Sequence, residues 1–139
     1  MDMEERVKKA YDLHHKGYNC AQAVVGAYSD LTGVKEKTLF QISEGFGGGM
    51  GAMQDTCGAV TGMFMLAGIV NSAGDVEEKL TKEETYALVR EVAERFKEKN
   101  HSAVCRELRG IETGEVLREC DGCIEDAVRI AGEYLFPDS

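Results

Sequence analysis

The sequence is poor in positive charge, contains one proline and no tryptophan, and has no long hydrophobic run. Its 139 residues include 16 lysines and arginines against 25 aspartates and glutamates, which gives a formal net charge of −9. Proteins that bind nucleic acids need a positive surface that neutralises phosphates, so the charge argues against DNA or RNA as the partner. It argues equally against adhesion to an anionic membrane surface.

No segment is long and apolar enough to suggest a membrane span. The longest apolar stretch, residues 58–70, has about 13 residues, whereas a membrane-spanning helix needs about 20. We interpret it as a buried core helix, in which Gly58 and Gly62 lie one turn apart and allow a neighbouring helix to approach. Residues 1–5 are acidic and lack the apolar run of a signal peptide. We therefore expect a cytoplasmic protein that does not associate with membranes.

Period-two alternation is nearly absent, and apolar residues recur at helical spacing along the whole chain. We predict helices over seven segments, at about 3–16, 20–31, 35–44, 56–72, 81–99, 102–108 and 122–135. No linker or internal repeat separates them, and the length is typical of one domain that buries its own core. The prediction is one all-α domain over residues 1–139, a bundle of about six or seven helices with a glycine-rich loop at 45–51.

The residue type that the sequence does supply is cysteine, at positions 20, 57, 105, 120 and 123. In a cytosolic chain of this size, disulfides are neither needed for folding nor expected to persist. An odd number also leaves one cysteine unpaired in any scheme made only of disulfides. We therefore interpret the cysteines as one redox-active or metal-binding site.

Four of the five cysteines follow residues that commonly cap helix N-termini. Cys20 follows Asn19, Cys57 follows Asp55 and Thr56, Cys105 follows Ser102, and Cys123 follows Asp121. The first turn of a helix offers free backbone N–H groups and the positive end of the dipole, and both favour a thiolate. A cysteine taken alone is more often a small buried apolar residue, but packing does not readily explain four at the same kind of position.

The strongest local motif is the CxxC pair formed by Cys120 and Cys123. Both dithiol redox sites and metal-binding knuckles use this spacing. A thioredoxin-like interpretation lacks the βαβ context, and a zinc ribbon would carry a second CxxC. The other three cysteines are isolated along the chain, so a shared site must be assembled by tertiary packing.

The glycine-rich loop and the histidines are secondary candidates. Gly47, Gly48 and Gly49 formally fit a nucleotide-binding pattern, but they do not follow a predicted strand. We interpret these glycines as a cofactor-binding segment whose backbone approaches closely and donates N–H groups to sulfur or to an anion. His14 and His15 are interpreted as cap or surface residues at the end of the first predicted helix.

The cysteine segments, in their order along the chain, resemble the redox-active family that is named for its motif, C_GCAxxG_C_C. The segments that carry the resemblance are NCAQ at 19–22, GFGGGMG at 45–51, CGAVTG at 57–62, SAVCREL at 102–108 and CDGC at 120–123. Relative to GCAxxG, the glycine and cysteine are exchanged here, and one residue on a helix is about 100° of rotation. The resemblance implies a small all-α fold with redox or metal chemistry, and we match its last cysteine to Cys123.

Our leading hypothesis is a small redox protein in which Cys20, Cys57, Cys105 and Cys123 converge, with Cys120 as a resolving thiol or spare ligand. It would act as a thiol–disulfide oxidoreductase or an electron carrier, alone or as a homodimer, toward a redox partner protein or a small thiol or disulfide. Alternatively, the same four thiolates hold an iron–sulfur cluster or a zinc ion. The alternative from a different functional class is a non-catalytic helical interaction domain in which the cysteines are packing residues.

Overall fold

The computed structural model describes residues 1–77 and 80–138, which form helices and no β-strand. The α-helices are α1 (Met3–His15), α2 (Cys20–Ala27), α3 (Ser29–Thr32), α4 (Glu36–Ser43), α5 (Gly58–Asn71), α6 (Lys82–Asn100), α7 (Cys105–Leu108) and α8 (Cys120–Tyr134). A 3-10 turn at Glu44–Phe46 follows α4. The predicted all-α fold class is confirmed.

The predicted helix over residues 20–31 is divided in two at Tyr28. The backbone there leaves the helical conformation, with φ −114° and ψ 14°. The fully buried Tyr28 side chain donates a hydrogen bond of 2.6 Å from its hydroxyl to the Val128 carbonyl oxygen of α8. Gly33 then ends α3 in the left-handed conformation, at φ 72°. A long-range contact therefore adds one helix to the seven expected from periodicity.

Helix α5 occupies the centre of the bundle because most of its side chains are apolar and much of its surface is buried. It packs against α2, α6 and α8, while α1 packs on α2 and α8. A Cβ at Gly62 would lie 3.0 Å from Val24 Cβ and 3.2 Å from the Ala21 carbonyl oxygen, so the small residue permits the expected close approach of α2. Within the part of the chain described, no helix is both long and apolar enough to cross a membrane.

A buried carboxylate fixes the segment that leads into α8. The Asp126 side chain is fully buried and accepts a hydrogen bond of 3.0 Å from the Asn100 side-chain amide. Its carboxylate also pairs with Lys99 at 2.5 Å and with Arg118 Nε at 3.1 Å. Because Arg118 precedes α8 and Lys99 lies in the last turn of α6, one carboxylate ties together three parts of the chain. This arrangement positions Arg118 beside the cysteines.

Candidate functional site

One cavity of about 130 Å³ lies where the N-terminal ends of α2, α5, α7 and α8 meet, and all five cysteines line it. Cys57, Cys105 and Cys123 are buried, Cys20 is half-buried and Cys120 is exposed, all as free thiols. The remaining lining residues are His14, Asn19, Gly48, Gly49, Gly58, Leu108, Arg109 and Arg118. Cysteines that are far apart in the sequence thus share one space, while their chemical roles stay predictions.

Helix N-termini carry three of the thiols as expected. Cys20 is the first residue of α2, behind an Asn19 cap whose Oδ1 accepts the Gln22 N–H at 2.9 Å. Cys57 is itself the N-cap residue of α5, and Cys105 is the first residue of α7. As the N-cap residue, Cys57 still lines the cavity despite the exchange of glycine and cysteine in its motif.

The positions of Cys120 and Cys123 are the reverse of those predicted. Helix α8 begins at Cys120, because Glu119 and not Asp121 is the extended N-cap residue, with φ −73° and ψ 159°. The Cys123 N–H already donates to the Glu119 carbonyl oxygen at 2.9 Å, so it has no free backbone donor. The placement of Cys123 at the helix start was wrong: Cys120 holds that position, and Cys123 faces the cavity one turn further along.

A short pairing of two extended segments places Cys57 beside Cys105. The Cys57 N–H donates to the Ala103 carbonyl oxygen at 2.8 Å, and the Cys105 N–H donates to the Asp55 carbonyl oxygen at 2.6 Å. An isolated antiparallel bridge between Thr56 and Val104 lies between these bonds. The backbone of two segments that are distant in sequence thus fixes two walls of the cavity.

The glycine-rich loop contains an unusual run of left-handed backbone. Five consecutive residues, Gly48 to Ala52, have φ between 60° and 74°. Glycine adopts this conformation without the steric cost that other residues bear. Three of the five are glycine, which makes so tight a turn accessible next to the thiols.

Two of the three glycines predicted to contact a cofactor reach the cavity. The Gly48 N–H is directed at the Cys20 sulfur and acts to lower the pKa of that thiol. Gly49 lies so close to Cys105 that a Cβ at position 49 would be 2.7 Å from the Cys105 Cβ. Gly47 is outside the lining. The backbone of this loop therefore contacts sulfur, and its part in holding a cofactor stays a prediction.

Cys57 and Cys123 interact as a thiol pair in which Cys123 donates a hydrogen bond to Cys57. This donor lowers the pKa of Cys57 from 9.0 to about 7 in spite of burial. The N–H groups of Ala59 and Val60 act in the same direction, although neither completes a capping hydrogen bond. The pKa of Cys123 is raised, first by the bond to Cys57 and then by burial. The Cys123 thiol also has the Arg118 carbonyl oxygen as an acceptor, 3.8 Å from its sulfur, and its single proton serves one of the two acceptors at a time.

The half-buried and exposed thiols at the site are harder to ionise. Burial raises the pKa of Cys20 to about 11, and the charge of Cys57 adds to this shift. Burial and the charge of Cys57 also raise the pKa of Cys120, while Arg109 opposes them. Of these thiols and the pair above, Cys57 alone has a lowered pKa, so it is the one that forms a thiolate near neutral pH.

Two histidines meet one carboxylate beside the cavity. His14 Nδ1 lies 2.7 Å from one oxygen of Asp121, and His15 Nε2 lies 2.9 Å from the other. The pairing joins the end of α1 to the start of α8, and it lowers the pKa of Asp121. Both histidines were predicted to be cap or surface residues, whereas His14 lines the cavity. No sequence signal links positions this far apart.

The spacing of the possible ligand atoms can be compared with what a bound metal needs. Among residues 1–77 and 80–138, the one group of three His, Cys, Asp or Glu side chains whose ligand atoms all lie within 4.8 Å is His14, His15 and Asp121. The four cysteines predicted as metal ligands form no such group. Tetrahedral Zn–S bonds place sulfurs about 3.8 Å apart, so a zinc ion would require the thiols to move together. The iron–sulfur alternative needs about four thiolates, and more than four cysteines line the cavity.

The fold and the cavity define a small helical protein with several free thiols around one shared space. The chain belongs to the family described as "Putative redox-active protein (C_GCAxxG_C_C)", which it matches over residues 18–134. This range includes all five cysteines and the glycine-rich loop. No curated protein and no solved structure shows significant similarity to the chain.

Proposed function

We propose that the protein is a thiol–disulfide redox protein in which Cys57 is the attacking thiolate and Cys123 is the resolving thiol. The observation that supports this assignment is that the buried Cys57 and Cys123 thiols line the same cavity and interact there, which lowers the pKa of Cys57 to about 7. An attacking thiol is most effective when its pKa lies near the ambient pH. Membership of a redox-active family agrees with the proposal.

The reaction consists of two exchange steps. The Cys57 thiolate attacks one sulfur of a disulfide RSSR, so that a mixed disulfide Cys57–S–S–R forms and RS⁻ leaves. Cys123 then attacks the Cys57 sulfur, the protein disulfide forms, and the second RS⁻ leaves and takes up the Cys123 proton as RSH. The substrate gains two electrons and becomes two thiols, while the protein dithiol is oxidised; a thiol reductant restores it by the reverse steps.

The surrounding thiols have supporting roles in this proposal. Cys120 is exposed and lines the same cavity, so it is an alternative resolving thiol. Cys20 and Cys105 form walls of the cavity and take no part in the exchange steps. We place the reaction in the cytoplasm, where thiol reductants keep free cysteines reduced. The partner is a small thiol or disulfide, because Cys57 is only 7% exposed and a folded protein could not easily reach it.

An iron–sulfur protein that transfers electrons is the second candidate. The observation that favours it is that four cysteines from four separate segments surround one cavity, since such a cluster needs about four thiolates. Cys20, Cys57, Cys105 and Cys123 would be its ligands. The cluster itself would supply the one-electron chemistry, and the Gly48 N–H directed at Cys20 would stabilise a coordinated thiolate.

Anaerobic purification followed by an absorption spectrum, iron and zinc analysis, and iodoacetamide kinetics separates these candidates. We expect a colourless, metal-free protein with one rapidly alkylated thiol, which Cys57→Ser removes and Cys105→Ser leaves unchanged. Visible charge-transfer bands accompanied by iron would instead favour the cluster. If the protein had neither metal nor a fast thiol, both candidates would fail, and a non-catalytic interaction domain whose cysteines only pack would be left.

A further inference from the structure

An arginine with no partner lies at the edge of the cysteine cavity. Arg109 lines the cavity and is exposed, and its guanidinium has no ion pair or hydrogen bond with any described residue. It is near enough to Cys120 to lower the pKa of that thiol. Arg109 therefore presents a free positive charge to whatever enters the cavity.

The other arginines near the site already have carboxylate partners. Arg106, in the short helix α7 that ends just before Arg109, pairs with Glu112 at 3.2 Å. Arg118 also lines the cavity, but Asp126 holds it at 3.1 Å. The chain has a net charge of −9, so carboxylates outnumber its cationic side chains. A guanidinium without a carboxylate partner, placed among the five thiols, is unusual in such a protein. Guanidinium groups bind carboxylates through two parallel hydrogen bonds, which suits Arg109 to an anionic ligand.

We propose that the cavity selects small disulfides that carry a carboxylate, and that Arg109 binds this carboxylate while a sulfur of the ligand reaches Cys57. The inference rests on the proposed thiol–disulfide function and adds the class of substrate to it. The cavity of about 130 Å³ and the deep burial of Cys57 limit the ligand to a small molecule. The net negative charge of the protein repels an anionic ligand, and the positive charge of Arg109 counters this repulsion at the cavity.

Two aliphatic disulfides of similar size test the proposal: dithiodiglycolate, which carries two carboxylates, and hydroxyethyl disulfide, which is neutral. Initial rates of protein oxidation, counted as mixed disulfide plus internal disulfide, are measured by mass spectrometry for the wild-type chain and for Arg109→Ala. We expect the variant to react with dithiodiglycolate roughly tenfold more slowly, at the lower end of electrostatic effects on association rates, and with hydroxyethyl disulfide at an unchanged rate. For each disulfide, the rate of the variant is divided by the rate of the wild type. The two disulfides can then be compared although their intrinsic reactivities differ.

Arg106→Ala is the matched control. It also removes one arginine, three residues before Arg109, but this arginine is already paired with Glu112. It should leave both rates unchanged, and added salt should slow the anionic probe in the wild type more than in Arg109→Ala. Equal effects of Arg109→Ala on both probes, or equal effects of the two arginine variants, would overturn the proposal. If Cys57→Ser reacted with hydroxyethyl disulfide as fast as the wild type, the proposed function itself would fail, and the substrate class with it.

Discussion

The sulfur of Cys20 lies directly against the α-carbon of Gly58, so that a Cβ at position 58 would overlap it. The Phe46 carbonyl oxygen would also be only 2.9 Å from that Cβ. This contact brings the start of α2 against the start of α5 and places Cys20 beside Cys57. Any side chain at position 58 would therefore have to displace Cys20.

Gly58→Ala is expected to destabilise the protein by about 1–3 kcal/mol, the usual cost of an added methyl group in a packed region. The cost arises because Cys20 and the backbone at Phe46 must both move. Urea denaturation measures the change in the free energy of unfolding. Iodoacetamide kinetics should also change, since the displaced Cys20 opens the cavity around Cys57.

Gly68→Ala is the matched control for this prediction. Gly68 lies in the same helix, and a Cβ there would meet no atom within 4 Å. The substitution should stabilise the protein by about 0.5–1 kcal/mol, because alanine loses less conformational freedom in a helix than glycine. Equal effects of the two substitutions would contradict the proposed Cys20–Gly58 contact.

The rate of Cys57 alkylation should rise with pH and level off above a midpoint near pH 7. The pKa of Cys57 is lowered to about 7, so about half of it is thiolate at pH 7, against about 1% for a thiol of pKa 9.0. Because the Cys123 donor is the largest cause of this shift, Cys123→Ala should move the midpoint upward. Stopped-flow alkylation from pH 5 to 9 measures both midpoints.

Cys120→Ala serves as the control for the pH profile, since it removes a neighbouring thiol that is not the hydrogen-bond donor to Cys57. Its midpoint should stay near that of the wild type. An unchanged midpoint in Cys123→Ala, or a wild-type midpoint near 9, would mean that the thiol pair does not activate Cys57.

Asp126→Asn should lower the free energy of unfolding by about 2–3 kcal/mol. Removing one partner of a buried ion pair typically costs about 3–5 kcal/mol, and the loss is smaller here because Lys99 and Arg118 both reach solvent. Urea denaturation measures the effect. Glu112→Gln, which breaks only the exposed pair with Arg106, should change stability by less than about 1 kcal/mol. A similar loss in both variants would show that the buried carboxylate has no special role.

Local patterns predicted the fold class and most helices, because helix periodicity and caps such as Asn19 depend on nearby residues. The break at Tyr28 could not be foreseen, since its cause is a hydrogen bond to Val128 at the other end of the sequence. The start of α8 was misplaced for a different reason. Asp121 is the better capping residue by type, but its carboxylate pairs with His14 and His15 and is not available as a cap.

The sequence pattern predicted that the cysteines would converge on one site. It did not predict that their pKa values would shift in different directions. Helix starts suggested that several thiols would be activated, yet burial raises the pKa of Cys20 even at the first residue of α2. The pairing of Cys57 with Cys123 and the free charge of Arg109 depend on how α5, α7 and α8 meet. Such properties arise from tertiary packing and leave no trace in residue spacing.

Peptide mapping after oxidation under native conditions tests the central claim most directly. The reduced protein is treated with one equivalent of hydroxyethyl disulfide, the remaining thiols are blocked, and the disulfide-linked peptides are identified by mass spectrometry. We predict a bond between Cys57 and Cys123, with Cys20 and Cys105 recovered as blocked thiols. A disulfide that joins other cysteines, or five blocked thiols and no disulfide, would contradict the assignment of Cys57 and Cys123 as the redox pair.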